Sequence, residues 1–153
     1  MKIEKSKIEH IVNSVKQICE SSNDNKSKLQ TICELLRDAI DYYDWVGFYI
    51  QENDELVLGP YSGAPTEHTN ITIGKGICGQ VALYNEMMVV QDVSAEDNYL
   101  SCSVNVQSEI VLPIQRNEKF IAELDIDSHA HSPFSEDDRT LLLNVCDLLE
   151  PLF

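Results

Sequence analysis

The hydrophobic period of this chain changes at Trp45, and that change constrains the fold more than any other feature. Upstream, residues 3–20 place Ile8, Ile11, Val12, Val15, Ile18 and Cys19 on one helical face. The polar run SSNDNKS interrupts it, and a second helix is expected from about Ser27, burying Leu29, Ile32, Cys33, Leu36, Ala39 and Ile40. From Trp45 onward apolar residues alternate with polar ones, as in strands with one covered face. A helical stripe returns at the end, where Leu141, Leu142, Val145, Leu148, Leu149 and Leu152 follow a Ser135-x-x-Asp138 capping box. A chain patterned in this order packs an antiparallel sheet between helical layers, an α/β (α+β) sandwich in a single domain spanning 1–153.

Within the middle segment, WVGFYI, ELVLGP, TNITI, MMVVQDV, SEIVLPI and KFIAELDID read as about six strands. END, SGAPTEH and a turn at Asn117 separate hairpins, and GKGICGQVALYNE reads as a glycine turn running into a short helix. SAEDNYLSCSVNVQ is a polar loop.

The most informative strand is Ala122-Glu123-Leu124-Asp125-Ile126-Asp127. Leu124 and Ile126 share the core face, so Glu123, Asp125 and Asp127 share the other. On an open face such spacing means only solvation. Under a cover, carboxylates about 7 Å apart are crowded in low dielectric, and one of them keeps its proton at neutral pH. A neutral carboxylic acid can protonate a leaving oxygen, and a pocket of acids attracts an ammonium group.

Five cysteines occur, at 19, 33, 78, 102 and 146. The odd count and the lack of any C-x-x-C pair argue against a disulfide framework and a structural zinc, and no metal set is expected. Cys19, Cys33 and Cys146 fall on or beside apolar stripes and are expected to be core residues. His10 belongs to a polar helix face, and His129 and His131 are expected in solvent. The glycines do not form a phosphate loop, and no nucleophile elbow is present. With 26 acidic against 11 basic residues, a net charge of −15, nucleic acid and anionic membrane surfaces are poor partners. The charged N-terminus and the lack of a long apolar run lead to the expectation of a cytoplasmic protein.

Taken in order, GKGICGQVA, VVQDV, the run from Cys102 to Pro113 that contains EIVLP, LDIDS and FSEDD resemble the free methionine-R-sulfoxide reductases, which have the GAF fold. DWVGFYI resembles the Trp-x-x-x-Tyr strand of that family. The resemblance runs from about Asp44 to the C-terminal helix. It implies that Cys102 is the nucleophile, passing through a sulfenic acid. Glu109, Asp125 and Asp127 would bind the sulfoxide and the amino group, and Trp45 and Tyr49 would wall the methyl group. Cys78 matches a second family cysteine, either a resolving thiol or a small buried residue. No cofactor is implied; thioredoxin or a small thiol would be the reductant, and a homodimer is the family-based expectation.

The chain departs from the family at three places. His68 stands where the principal resolving cysteine is usual, Asn98 to Ser103 replaces the usual loop around the nucleophile, and Ala122-Glu123 replaces Gly-Val. His68 implies that Cys78 resolves or that an external thiol acts directly. Two other readings remain, a non-catalytic GAF sensor of a small molecule and a dimerisation module, and neither uses Cys102 with the acids for chemistry.

Overall fold

The computed structural model describes residues 1–100 and 104–153. Cys102, the expected nucleophile, therefore lies outside the described residues. Helices α1 (Lys5–Glu20) and α2 (Asn25–Ala39) precede strands β1 (Trp45–Glu52), β2 (Glu55–Ser62) and β3 (Asn70–Thr72). Helix α3 (Gly76–Tyr84), then β4 (Met88–Val90), β5 (Ser108–Arg116) and β6 (Lys119–Ser128), leads to α4 (Glu136–Leu149). Several boundaries differ slightly from those read in the sequence, and the strand read at MMVVQDV shortens to Met88–Val90. α2 starts at Asn25 because the Asp24 side chain accepts from the Ser27 amide, a cap inside the polar run. The first helix starts at Lys5, with Glu4 extended.

The strands form a six-stranded sheet in the order β3-β2-β1-β6-β5-β4, and every pair is antiparallel. Asn117 and Glu118 both adopt positive φ, 51° and 64°, which makes the tight reversal between β5 and β6. The long central strands alternate two cores. Val46 and Phe48 of β1, Ile110, Leu112 and Ile114 of β5 and Leu124 and Ile126 of β6 pack against α1, α2 and α4. Trp45, Tyr49 and Val111 point the other way, against Ile77, Cys78 and Val81 of α3.

The second face is thus covered by one short helix and the connecting segments, not by a full helical layer. The capping box at Ser135 and Asp138 is present, and the Asp138 carboxylate also accepts from the Tyr42 and Tyr43 hydroxyls at 2.8 and 2.7 Å. Cys33 and Cys146 are buried and Cys19 is partly buried, as their stripes implied, while His10, His129 and His131 are exposed. Among the described residues no helix is long and apolar enough to cross a membrane.

Candidate functional site

Strand register assembles the site on the α3 face. β5 and β6 pair so that Glu109 faces Asp127, Val111 faces Asp125 and Pro113 faces Glu123. On the other side of β6, β1 sets Trp45 against Asp127, Gly47 against Asp125 and Tyr49 against Glu123. Directly paired residues project from the same face of a sheet, so all of these side chains share one surface. That surface is closed. Glu109 is 4% exposed, Asp127 1%, and Glu123 and Asp125 0%.

α3 and the segment before the undescribed residues form the cover. Gly76 opens the helix at φ +66°, where a Cβ would stand 2.9 Å from Leu100 Cγ. Asn98 Oδ1 accepts from the Gly76 amide at 2.8 Å, and Asn98 Nδ2 donates to the Gly74 carbonyl at 3.0 Å. These bonds staple residues 98–100 onto the start of α3. The same turn carries Cys78, whose Sγ lies 3.7 Å from Glu109 Oε2. The Cys78 sulfur, one Glu109 oxygen and one Asp125 oxygen all lie within 4.8 Å of one another.

On the β1 side, the Trp45 indole lies across Gly47, where a Cβ would meet its ring at 2.3 Å. It stacks on Tyr61 with centroids 5.4 Å apart and on Tyr49 at 6.4 Å. The polar tips of both pocket aromatics hold the following segment. Trp45 Nε1 donates to the Ala64 carbonyl at 3.0 Å and the Tyr49 hydroxyl to the His68 carbonyl at 2.8 Å. These side chains therefore combine an apolar wall with a tether, as amphipathic aromatics do.

The expected site residues divide between two neighbouring cavities. Tyr49, His68, Cys78, Leu100, Glu109 and Asp125 line one. Trp45 and Asp127 border the other, with Arg37, Asp44, Val106 and His129. A wider groove between α2 and β2, lined by Leu29, Tyr61 and Phe153 among others, holds no acid and no thiol, so it does not compete as a chemical site.

The basic side chains that line the Asp125 cavity are Lys75, which is exposed, and His68, which is half-buried. Among the described residues the only buried basic side chain is Lys28, and it donates to the Cys19 carbonyl on the helical side. Burial is the main cause that raises the Glu123 and Asp125 carboxyls above the ordinary carboxylate range. Cys78 is raised well above an ordinary thiol by burial first, then by the charges of Asp125, Glu123 and Glu109. Both directions match an acid face that is covered from water.

Sequence reading missed Asn98, Gly76 and Gly47 as site builders. Gly76 showed only as punctuation and Gly47 only as one residue of the WVGFYI strand. Gly47 was in principle findable, because period two puts it between Trp45 and Tyr49 on their face.

The sequence pattern of the GAF domain family matches residues 24–150. The chain belongs to the GAF domain family. This GAF domain is 35% identical over 116 residues to the free methionine-R-sulfoxide reductase of Escherichia coli, covering 76% of this chain and 70% of that protein. Among solved structures, the type II free methionine-R-sulfoxide reductase of Thermoplasma acidophilum is 36% identical, with a TM-score of 0.81 over 90% of this chain and 94% of the other. The free methionine-R-sulfoxide reductase of Neisseria meningitidis, solved in complex with its substrate, is 30% identical, with a TM-score of 0.90 over 100% of this chain and 93% of that one. The resemblance read from the order of motifs is therefore borne out for the GAF domain as a whole.

Proposed function

We propose that this GAF domain is an oxidoreductase that reduces free methionine-R-sulfoxide to methionine. The observation that carries the reading is the closed cluster of Glu109, Asp125 and Asp127 beside the Trp45 and Tyr49 wall, in a chain whose relatives include named reductases, one solved with substrate. Buried acids suit the ammonium group of a free amino acid, and the aromatics suit its methyl end. A carboxyl that retains its proton supplies what the sulfoxide oxygen needs.

In this scheme the Cys102 thiolate attacks the sulfoxide sulfur. One carboxyl of the cluster protonates the oxygen, which transfers to Cys102 as a sulfenic acid, and methionine leaves with its sulfur reduced. Cys78 then attacks the sulfenic sulfur, giving a disulfide and water, and a thioredoxin-like dithiol reduces the disulfide. Cys78 must first lose its proton, which Glu109 Oε2, 3.7 Å from the sulfur, would accept. With His68 in the cavity wall, the alternative is direct reduction of the sulfenic acid by an external thiol.

The test is to incubate the protein with free methionine-R-sulfoxide and dithiothreitol and to measure methionine. Turnover by the wild type, lost in Cys102→Ser, supports the enzyme. Binding of the sulfoxide without turnover in the wild type overturns it in favour of a small-molecule sensor.

A further inference from the structure

The cluster around Cys78 combines donors that substrate binding does not require together. Four side chains meet from three elements: Cys78 from α3, Glu109 from β5, and Asp125 and Glu123 from β6. A pocket for an ammonium group needs carboxylates but gains nothing from a thiol among them. The Cys78 sulfur stands 3.7 Å from Glu109 Oε2, and one Asp125 oxygen completes a set within 4.8 Å. Tetrahedral zinc, with Zn–S near 2.3 Å and Zn–O near 2.0–2.2 Å, sets its donors about 3.5 Å apart, so the set must close by up to about 1.3 Å around an ion.

A separate observation concerns Glu123. It is 0% exposed, and neither of its oxygens finds a donor of ordinary hydrogen-bond geometry. Its carboxyl reaches Cys78, so it belongs to the same set. Buried polar atoms are nearly always paired, because leaving one unpaired costs free energy comparable to a lost hydrogen bond. Glu123 and Asp125 both carry buried oxygens in this state, and a cation explains the two together.

We infer that Cys78, Glu109 and Asp125, with Glu123 as the fourth donor, form a binding site for a borderline-soft divalent cation of the zinc class. The sulfur excludes the hard cations: magnesium and calcium take oxygen sets of six or more, which this site does not offer. The sequence leads to no expectation of a resident metal cofactor, and the site binds the cation reversibly. A bound cation occupies the carboxylates that the proposed reaction uses and ties up the Cys78 sulfur, so binding blocks the pocket. Metal binding itself does not depend on the reductase reading.

Cadmium reports the site directly through its thiolate charge-transfer absorption. The reduced full chain, freed of metal with a chelator, is titrated with cadmium, and zinc is then added in competition. Expected is a saturable band at one equivalent, displaced by zinc and unaffected by millimolar magnesium. The band should persist in Cys102→Ser and vanish in Cys78→Ser, with Cys78→Ala as a second variant and circular dichroism checking the fold of each. Glu123→Gln should weaken binding at least tenfold while keeping the band. A band that survives in both Cys78 variants, or that needs Cys102, overturns the proposal, as does the lack of a saturable band. Metal binding without methionine production sinks only the reductase reading, and methionine production without metal binding sinks only this one.

Discussion

Cys78 Sγ lies 3.7 Å from Glu109 Oε2, although the two residues are 31 positions apart and sit on a helix and a strand. The contact places a buried thiol against a buried acid, and it sets what each can do.

The first expectation concerns the reactivity of that thiol. Because burial and three carboxylates raise Cys78, its alkylation in a Cys102→Ser background should titrate above the value near 8.5 ordinary for a free thiol. Glu109→Gln removes a nearby negative charge and should move the midpoint down. An ordinary midpoint in the starting protein would mean that the cavity is open to water.

The raised Glu123 carboxyl has a consequence for stability. Its folded form holds a proton that the unfolded chain releases near the ordinary value of 4.5. Native protein therefore binds more protons than unfolded protein above that pH, and stability falls as pH rises toward the folded value. Glu123→Gln lacks this loss. Denaturant titrations with chelator present should show the variant gaining on the wild type progressively from about pH 4.5 upward. A difference independent of pH would contradict the assignment.

Gly47 makes room for the Trp45 indole, since a Cβ there would meet the ring at 2.3 Å and Tyr61 Cβ at 2.8 Å. Gly47→Ala should cost about 1–3 kcal/mol in chemical denaturation, as overpacking does. By displacing the aromatic wall it should also raise KM for free methionine sulfoxide more than it lowers kcat.

Asp138 offers a contrast. Its carboxylate caps α4 and accepts from Tyr42 and Tyr43, on the side of the sheet away from the acids. Asp138→Ala leaves the buried Tyr43 hydroxyl unpaired and removes a cap partner, for an expected loss of about 2–4 kcal/mol. Activity per folded molecule should stay within twofold of wild type, read by comparing turnover with the folded fraction.

Much of the fold was legible because secondary structure leaves a local period. The two leading helices, six strands and the closing helix follow from apolar residues recurring at helical or alternate spacing, and the observed boundaries shift by only a few residues. The Asn25 start was missed because a side-chain cap, not an apolar stripe, determines it. The direction of Glu123, Asp125 and Asp127 away from Leu124 and Ile126 was equally local. Asn98 was not legible, since its value lies in reaching Gly74 and Gly76 from a polar loop.

By itself, then, the sequence determined which residues share a face and which chemistry-bearing types the chain carries. Only the tertiary structure decided that the acid face is closed, that Glu109 stands opposite Asp127, and that Cys78 joins Glu109 and Asp125 from a different element. The physical reason is that side-chain direction along a strand is set by neighbouring residues. Burial, register and the meeting of distant groups are set instead by how the chain reverses and which surfaces then exclude water.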